Sequence, residues 1–393
     1  MKIVFFSNFL NHHQLPLCNE FLKHKEIEFF FVACSKTPKE RLDLGYEEMN
    51  YLPFVVRAFD NIDEAYALAV DADVAIFGDC PNSFLEKRMS ANKISFKYTE
   101  RIFKKGRWRY YHPRINKLIK NKFLKYKNSN LYVLCASSFT CGDLAFCGFP
   151  AEKCFNWGYF PEISNKDLNE LLLKKGDKTL EIIYVGRLLK LKKVFLLIKA
   201  LNVMNKEKKN VHVSIVGDGP IKNTLIKYVK TRHIENIDFL GSINYKDVFK
   251  HLEKSDVLYL GSNFYEGWGA VVNEAMSNAC IPVVSHSVGS APCLIKNGIN
   301  GYVFKLNDLN GLCNAFNNIY SNFFERKVLM ENAYNTIDLL WNASVAVDRF
   351  LECIYFFLKS ENELDNKFVT LFNDGPMANA KAINNNWIKY EKK

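Results

Sequence analysis

The sequence predicts an α/β protein with two doubly wound parallel sheets. Short apolar runs alternate with helical patterns in both halves of the chain, the order expected for parallel strands joined by helices. This alternation is interrupted where the composition becomes polar, around residues 158–176. With 393 residues, 48% of them hydrophobic, the chain can bury two cores of ordinary size. We therefore expect two facing domains with a cleft between them, and ligands at the carboxyl ends of the strands.

Both halves of the chain contain a series of predicted strands, with helical patterns such as Gln14–Lys23 and Ile62–Val70 between them. The first half has strands at Lys2–Phe6, Phe29–Ala33, Val74–Phe77, Ile94–Tyr98 and Leu131–Cys135. The second half has strands at Glu181–Val185, His212–Val216, Ile237–Leu240, Val257–Leu260 and Ile281–Ser285.

Two polar stretches, Pro161–Asn165 and Lys174–Asp177, are typical of a linker between domains. We therefore predict an N-terminal domain over residues 1–170 and a C-terminal domain over residues 171–340. The remaining residues, 341–393, contain an amphipathic helix at Val345–Leu358 and a polar tail. We expect this last part to pack back on the N-terminal domain.

Several function classes are disfavoured by composition. No apolar run approaches the roughly 18–20 residues that span a bilayer, and the N-terminal apolar run is too short for a signal peptide. The 11 cysteines include no CxxC pair, which favours reduced, buried thiols over a metal site or a disulfide framework. The sequence therefore predicts a cytoplasmic protein, with peripheral attachment to the inner face of the membrane as an option.

The net charge of +11 is unevenly distributed. Residues 101–127 contain eleven Lys or Arg residues, no Asp or Glu, and six interleaved aromatic residues. Ile115, Leu118, Ile119 and Phe123 recur at helical spacing, which predicts a basic amphipathic helix. This pattern favours contact with an anionic membrane or a lipid-phosphate acceptor. A solvated face without a partner is one alternative, and a nucleic-acid surface is another, although no recognised nucleic-acid motif accompanies the segment.

The segment 264–276 is the strongest candidate site. Glu266 and Glu274 stand eight positions apart around a glycine-rich turn, between an apolar strand and an apolar helical pattern over Ala270–Ala279. Free backbone N–H groups at a helix start suit anions and hydroxyls, and a carboxylate among apolar helix neighbours is costly without polar partners. Either glutamate alone fits an ordinary helix acid equally well. The pair in this setting predicts a ligand site.

Other strand ends in the second half carry residues suited to a ligand. Arg187 and Lys192 follow a strand and precede a helix, where cations do not help the fold but suit a bound diphosphate. The next strand ends in the tight turn 217–220, Gly-Asp-Gly-Pro. The one after it ends in Phe-Leu-Gly at residues 239–241, whose backbone could lie along a flat base.

The order and spacing of these motifs resemble those of retaining glycosyltransferases of the GT-B fold, and more narrowly of family 4, the glycosyl transferases group 1. The motifs are Gly186-Arg187-Leu188 with Lys192, Gly217-Asp218-Gly219-Pro220, Phe239-Leu240-Gly241, and Glu266 with Glu274 in the setting Glu-Gly-Trp-Gly…Asn-Glu-Ala-Met. They cover roughly residues 181–304. The resemblance implies two Rossmann-like domains: an acceptor domain over 1–170 and a nucleotide-sugar donor domain over 171–340. It also implies that no metal or other cofactor is needed.

The resemblance further implies a role for each matched residue. Arg187 and Lys192 would bind the donor diphosphate and stabilise the charge on the leaving phosphate. Glu266 would accept hydrogen bonds from sugar hydroxyls, and Glu274 from the ribose hydroxyls. The remaining donor-binding residues would be Gly217, Leu240, Gly267, Trp268, Gly269 and Ala270. In the family the departing phosphate is thought to help deprotonate the acceptor, so no enzymic nucleophile is required.

The first half departs from the common family pattern. Its first strand is followed by the turn 8–14, without the glycine pair that many members have there, and the stretch 97–101 lacks their mid-domain histidine. We expect Asn11, His12, His13 and Glu100 on the acceptor side, with His13 as a further catalytic candidate beside Glu266, Arg187 and Lys192. The alternatives are a helix cap at Asn11 with two surface histidines, and an ordinary loop acid at Glu100.

The predicted function is that of a retaining, metal-independent hexosyltransferase. Its donor would be a nucleoside-diphosphate sugar, with UDP favoured. Its acceptor would be a saccharide or a lipid-linked saccharide in the synthesis of bacterial capsule, O-antigen or exopolysaccharide, and nucleic acid is not an expected partner. One alternative is another GT-B reaction, such as that of a sugar-nucleotide epimerase or a phosphorylase. The other is a non-enzymatic basic module that binds membranes or nucleic acid.

Overall fold

The computed structural model describes residues 1–43, 47–163, 166–360 and 368–389. The chain divides into two compact units. The first unit comprises Met1–Glu162 and Asn342–Asn386, and the second comprises Ile163–Trp341 and Trp387–Lys393. Two residues of the predicted linker, Ser164 and Asn165, lie outside the described residues.

The first unit is built on a seven-stranded parallel sheet in the order β3-β2-β1-β4-β5-β6-β7. Its strands are β1 Lys2–Ser7, β2 Glu28–Ala33, β3 Val55–Arg57, β4 Val74–Phe77, β5 Ser95–Thr99, β6 Leu131–Cys135 and β7 Cys154–Asn156. Its helices before the second unit are α1 Leu15–Lys23, α2 Lys39–Asp43, α3 Ile62–Asp71, α4 Asn82–Met89, α5 Pro113–Lys122 and α6 Thr140–Phe146. Short 3-10 helices occur at Arg107–Tyr111, Leu124–Tyr126 and Ala151–Lys153.

The second unit is built on a six-stranded parallel sheet in the order β10-β9-β8-β11-β12-β13. Its strands are β8 Leu180–Val185, β9 Val211–Val216, β10 Ile237–Gly241, β11 Val257–Leu260, β12 Ile281–Ser285 and β13 Tyr302–Phe304. Its helices are α7 Leu168–Leu173, α8 Val194–Lys206, α9 Lys222–Thr231, α10 Tyr245–Leu252, α11 Val271–Met276, α12 Ala291–Leu294, α13 Leu309–Ser321 and α14 Phe323–Asp338. Further 3-10 helices lie at Lys190–Lys192 and Trp387–Lys389.

The central strands explain why the chain forms parallel sheets. Every residue of β4, β6, β11 and β12 is buried, because helices cover both faces of such a sheet and favour continuous apolar strands. The predicted α/β class with two doubly wound parallel sheets is confirmed. The structure adds the three-residue strands β3, β7 and β13, which are too short to stand out as apolar runs.

The C-terminal part of the chain lies largely in the first unit. Its helix, α15 Ala343–Ser360, packs on α1, and the rings of Phe350 and Phe21 meet edge to face with centroids 5.8 Å apart. Further along, Asn379 forms an antiparallel bridge with Phe155 at the edge of the first sheet. Trp387 belongs to the second unit, where its indole N–H donates to the carbonyl of His286 at 2.9 Å.

Two local predictions are wrong. The helical pattern over Ala270–Ala279 forms a helix only at Val271–Met276, because Ala279 adopts the left-handed region with φ +54° and turns the chain into β12. The predicted linker Lys174–Asp177 is partly packed, since Lys175 is buried and its Nζ donates to the Ser255 carbonyl at 2.5 Å. This stretch therefore contributes to the core of the second unit.

The predicted burial of the regularly spaced cysteines is confirmed. All 11 cysteines are free thiols, and the regularly spaced Cys135, Cys141, Cys147 and Cys154 are buried. Within the described ranges no helix is both long enough and apolar enough to cross a membrane.

Candidate functional site

The second sheet has a topological switch point between β8 and β11. From β8 the chain builds outward through β9 and β10, and then returns to place β11 on the other side of β8. The connections after β8 and β11 therefore run to opposite sides of the sheet, and the carboxyl ends of strands at such a point are the usual ligand position in such sheets. Arg187 and Lys192 follow β8, and Glu266 follows β11.

Lys192 and Glu266 contact each other at this switch point. Lys192 Nζ forms an ion pair with Glu266 Oε2, and Ser262 Oγ donates to the same oxygen at 2.7 Å. The two loops are also joined by their backbones, because the N–H of Asn263 donates to the carbonyl of Leu191 at 3.0 Å. The two residues assigned to different parts of a ligand thus form one charged cluster. Ser262, which the sequence analysis missed, stands two residues after β11, a position that topology alone marks for attention.

Arg187 is exposed and forms no ion pair with any described acidic residue. Its backbone is fixed, because the hydroxyl of the buried Tyr184 donates to the Arg187 carbonyl at 2.8 Å. A guanidinium on a fixed backbone without a protein counter-charge is well suited to bind a phosphate group in bidentate fashion.

The loops after β8, β9 and β10 are tied together by backbone hydrogen bonds. The N–H of Gly186 donates to Val216 at 3.0 Å, and the N–H of Gly217 donates to Gly241 at 2.7 Å. Gly217 has φ +128°, and a Cβ at this position would lie 2.0 Å from the Gly186 carbonyl oxygen. Only glycine fits there, so the predicted turn 217–220 packs directly against the loop that follows β8. Beside it, Leu240 leaves part of its side chain exposed at the end of β10.

The turn 267–270 presents backbone donors. The N–H groups of its residues, Gly267, Trp268, Gly269 and Ala270, have no hydrogen-bond acceptor among the described residues. The Trp268 side chain is buried, with its Nε1 donating to Asn273 Oδ1 at 2.9 Å and its ring against Trp341. Trp268 therefore anchors the turn through its ring and leaves its backbone N–H to a ligand.

Glu274 is a buried carboxylate on α11. Burial raises its pKa from 4.5 to about 7, and no described group donates a hydrogen bond to its carboxylate oxygens. A buried carboxylate without donors destabilises the folded protein. Hydroxyl groups of a ligand would supply the missing donors, which is the role that the sequence prediction gave to this residue.

The first sheet has its own switch point, between β1 and β4. There Asn8 Nδ2 donates to Asp79 Oδ2 at 3.2 Å, so side chains connect the two strand ends. Lys97, on β5, is buried and its Nζ donates to the Gly78 carbonyl at 2.7 Å. Burial lowers the pKa of Lys97. Asp79 had no predicted role, yet it occupies the position that topology favours for a ligand.

The turn after β1 differs from the alternative in which Asn11 caps the helix and both histidines lie on the surface. Asn11 stabilises the turn itself: its Oδ1 accepts from the His13 N–H and its Nδ2 donates to Gln14 Oε1, both at 3.0 Å. Helix α1 has no side-chain cap. The rings of His12 and His13 are partly buried, with centroids 3.9 Å apart. Burial, with the neighbouring charges of His12 and Arg41, lowers the pKa of His13 to about 3, so this imidazole is neutral at physiological pH.

Glu100 has two side-chain partners in the first unit. Its carboxylate accepts a hydrogen bond from the Tyr159 hydroxyl at 3.0 Å and forms an ion pair with Lys104. The ring of Tyr159 also lies against His13, with centroids 6.1 Å apart. Tyr159 thus joins two of the predicted acceptor residues, His13 and Glu100. Its own sequence neighbourhood contains no motif that would have identified it.

A family model supports the resemblance predicted for the second unit. The model described as glycosyl transferases group 1 matches residues 166–336. The second unit carries a glycosyl transferases group 1 domain. This domain contains every predicted donor residue from Arg187 to Glu274, and the predicted resemblance is confirmed.

Curated relatives share part of the chain. N-acetyl-alpha-D-glucosaminyl L-malate synthase of Bacillus anthracis is 32% identical over 151 residues, which are 37% of this chain and 38% of that protein. UDP-Gal:alpha-D-GlcNAc-diphosphoundecaprenol alpha-1,3-galactosyltransferase of Escherichia coli is 30% identical over 162 residues, which are 40% of this chain and 41% of that protein. The chain therefore matches well under half the length of each.

Among solved structures, the crystal structure of HepE from Anabaena in complex with UDP is similar over both units. It has a TM-score of 0.66 and 16% sequence identity, and the match covers 91% of this chain and all of HepE. The group 1 domain together with the first unit therefore forms a GT-B fold, as predicted. The described part of the chain contains no group of three or more His, Cys, Asp or Glu residues that could hold a metal ion.

Proposed function

We propose that this chain is a retaining glycosyltransferase. It transfers a hexosyl group from a nucleoside-diphosphate sugar, with UDP favoured, to a saccharide or a lipid-linked saccharide. The product belongs to a bacterial surface polysaccharide such as capsule, O-antigen or exopolysaccharide. The match to glycosyl transferases group 1 over residues 166–336 supports the reaction class, and the UDP complex of the similar HepE structure supports the choice of nucleotide.

One observation carries the proposal most strongly: the charged cluster at the second switch point. Arg187 is exposed without an acidic partner among the described residues, and Lys192, five positions further along, forms an ion pair with Glu266. The turn 267–270 adds backbone donors on the same loop as Glu266. Cations and N–H groups suit a diphosphate, and a carboxylate suits sugar hydroxyls. A nucleoside-diphosphate sugar contains both kinds of group.

The proposed chemistry needs charge stabilisation more than a protein nucleophile. The bond from the sugar C1 to the diphosphate oxygen breaks, and a bond from C1 to the acceptor oxygen forms on the same face. The acceptor proton passes to an oxygen of the departing diphosphate. Arg187 and Lys192 stabilise the negative charge that develops there, which is commonly the largest contribution in such reactions. Glu266 orients the sugar, Glu274 accepts from the ribose hydroxyls, and no metal ion takes part.

The first unit is proposed to supply the acceptor contacts. His13, Tyr159 and Glu100 form a connected polar group at its strand ends. The neutral His13 can exchange hydrogen bonds with a hydroxyl, and Glu100 can accept one. A lipid-linked acceptor, like the one in the name of the Escherichia coli relative, would place the enzyme peripherally at the inner face of the membrane.

The proposal is tested in two steps. A panel of nucleotides and nucleotide sugars is screened by thermal shift, and we expect UDP and a UDP-sugar to raise the melting temperature, because a ligand that binds the native state stabilises it by mass action. The stabilising sugar nucleotide is then incubated with saccharide acceptors, and free UDP is measured. Release of UDP that requires an acceptor supports transfer. Absence of binding to every nucleotide would contradict the proposal, and conversion of the donor without an acceptor would favour an epimerase-like reaction.

A further inference from the structure

The basic segment 101–127 divides into a buried part and an exposed part. Ile119, Phe123 and Phe103 are buried in the core of the first unit. Helix α5 therefore uses most of its predicted apolar stripe for folding, and that stripe is not available to a membrane. This corrects the simplest form of the sequence prediction, in which the stripe itself contacts the membrane.

A second set of apolar side chains remains exposed beside this core. The residues with their exposed fractions are Trp108 (68%), Tyr111 (76%), Leu118 (45%) and Phe146 (40%). Trp108 and Tyr111 belong to the 3-10 helix Arg107–Tyr111, in which side chains three positions apart are eclipsed and share a face. Tyr111 also contacts Phe146, with ring centroids 6.5 Å apart. Phe146 lies on α6, outside the basic segment, so the sequence pattern could not include it.

Most of the cations around these side chains form no ion pair with the residues that the structure describes. Arg101 and Arg107 bind the buried Asp143, at 3.4 and 3.1 Å, and Lys104 pairs with Glu100. The other cations of the segment form no ion pair with a described residue, and most are exposed: Lys105, Arg109, Arg114, Lys117, Lys120, Lys122, Lys125 and Lys127. Arg114, Lys117 and Leu118 share the solvent face of α5, since positions i, i+3 and i+4 are neighbours on a helix.

We propose that Trp108, Tyr111, Leu118 and Phe146, with the surrounding cations, form a docking face for an anionic lipid bilayer. Exposed rings next to unpaired Lys and Arg residues are the features by which peripheral proteins bind the charged interface of a membrane. The Trp108 indole N–H already donates to the Lys105 carbonyl at 2.9 Å, so the ring can leave water without losing a hydrogen bond. Leu118 offers an aliphatic surface, which suits lipid and has no ring to stack on a nucleic-acid base.

The docking face would hold the enzyme at the membrane, where a lipid-linked acceptor is found. This link to a lipid-linked acceptor rests on the proposed function. The docking itself does not, since it depends on residues of the first unit that have no role in the candidate donor site. The two ideas can therefore fail separately.

The full chain is tested by sedimentation with phosphatidylglycerol-containing vesicles and with pure phosphatidylcholine vesicles. We expect binding to the anionic vesicles that weakens as salt is added. The double variant Arg114→Glu with Lys117→Glu should lower the partition coefficient by more than tenfold, since each cation near such a surface contributes about fivefold. Trp108→Ser with Tyr111→Ser should lower the part of the binding that persists at high salt.

A matched control reverses two charges elsewhere. Lys227 and Lys230 are exposed, lie three positions apart on α9 of the second unit and form no ion pair with a described residue. Lys227→Glu with Lys230→Glu changes the net charge equally and should leave vesicle binding nearly unchanged. Equal loss in both double variants would overturn the docking face, as would equal binding to both kinds of vesicle.

Two further measurements separate the alternatives. UDP-induced thermal shift is measured on every variant, and it should match that of the unaltered chain. If the docking-face variants lose vesicle binding and keep UDP binding, the docking face is supported. If the unaltered chain binds UDP but does not bind vesicles, the docking face is overturned and the proposed function stands. An RNA oligonucleotide that binds as tightly as the vesicles, without dependence on Trp108 and Tyr111, would identify a general polyanion surface and would also overturn the proposal.

Discussion

The two sheets share one topology but end in differently built switch points. In the second unit, the point between β8 and β11 has a Lys192–Glu266 ion pair, together with Arg187 and a turn of backbone N–H groups that have no partner among the described residues. In the first unit, the point between β1 and β4 is joined by side chains, with Asn8 donating to Asp79. The switch point of the second unit therefore has hydrogen-bond donors and positive charge available for an anion. At the switch point of the first unit, Asn8 and Asp79 bond to each other.

The buried titratable groups of the two sites also differ in their pKa values. Burial shifts both Glu274 and His13 toward their neutral forms, but their pKa values are about 7 and about 3. Glu274 therefore changes charge near neutral pH, whereas His13 stays neutral at every pH above about 5. This contrast teaches that pH dependence near neutrality should come from the donor side and not from the histidine turn.

The largest expected effect comes from removing the unpaired cation of the second switch point. Arg187→Ala should lower the rate of transfer by about 10²–10³-fold, because a group aimed at charge developing in the transition state contributes on that scale. The rate is measured as UDP release with saturating donor and acceptor. Acceptor KM should not change, because the acceptor contacts are assigned to the first unit.

A neighbouring lysine provides the control for this prediction. Lys190 is exposed three positions further along the same loop, so Lys190→Ala removes one positive charge from the same neighbourhood. We expect its rate to stay within about twofold of the unaltered chain, since surface charges away from such features contribute little. If both variants lose activity equally, general charge attraction and not contact with the diphosphate explains the effect.

The next largest effects are expected from Glu274→Gln, which should change both the pH dependence of folding stability and the affinity for UDP. The folded-state pKa of about 7 lies above the ordinary 4.5, so between these values the folded protein holds a proton that the unfolded chain has lost. Stability due to this group therefore falls as pH rises from about 4.5 to about 7 and is level above, a loss of about 3 kcal/mol. Glu274→Gln removes that dependence and should be more stable than the unaltered chain at pH 8, while binding UDP about tenfold more weakly.

Both quantities can be measured on one set of samples. Urea unfolding is compared at pH 5 and pH 8, and UDP affinity is measured by calorimetry at pH 8. Glu235→Gln is the control, because Glu235 is exposed on the same unit and should change neither quantity. A Glu274→Gln variant that loses stability at pH 8 and keeps its UDP affinity would assign Glu274 to the fold and not to the ligand.

The second site was predictable because its parts are local in sequence. Glu266, Glu274 and the turn 267–270 lie in one segment after a buried strand, and the strand end beside Arg187 is visible as an apolar run. The contacts that complete the site were not predictable. Lys192 and Glu266 are 74 positions apart, and a single sequence carries no signal for such a pair. The early end of α11 was also hidden, because Ala279 takes a left-handed conformation usually marked by glycine.

The first site was less predictable for the same physical reason. The turn 8–14 lacks glycine, so no tight phosphate-binding turn marks it. In the sequence, no neighbour of Glu100 marks it as part of a site, and its partner Tyr159 lies 59 positions away, beyond a strand too short to predict. His13 and Glu100 were both named from the places where the first half departs from the family pattern. The residue that connects them came from tertiary packing alone.

A smaller effect is expected in the first unit from Tyr159→Phe. The change removes the hydrogen bond to Glu100 and leaves the ring against His13. Loss of one hydrogen bond to a charged group should raise the acceptor KM by about three- to tenfold, while UDP affinity stays unchanged. The KM is measured with the acceptor that supports UDP release, and UDP affinity is measured by calorimetry.

The same substitution elsewhere in the first unit is the control. The Tyr66 hydroxyl donates to Ser83 Oγ at 2.9 Å, away from the strand-end cluster. Tyr66→Phe should leave the acceptor KM unchanged. If Tyr159→Phe instead weakens UDP binding, the division of donor and acceptor contacts between the two units is wrong.

The smallest expected effect is that of a chelator, which should leave the transfer rate unchanged. The described residues of the second switch point offer Arg187 and Lys192 to the leaving diphosphate and no cluster of metal-ligating side chains. If these cations supply the charge stabilisation, added EDTA leaves the rate of the unaltered chain the same, and added Mg²⁺ does not restore Arg187→Ala. Rescue of that variant by Mg²⁺ would show that a metal ion can take the place of the guanidinium. Loss of activity of the unaltered chain in EDTA would show that a metal ion already helps to stabilise the charge on the leaving diphosphate.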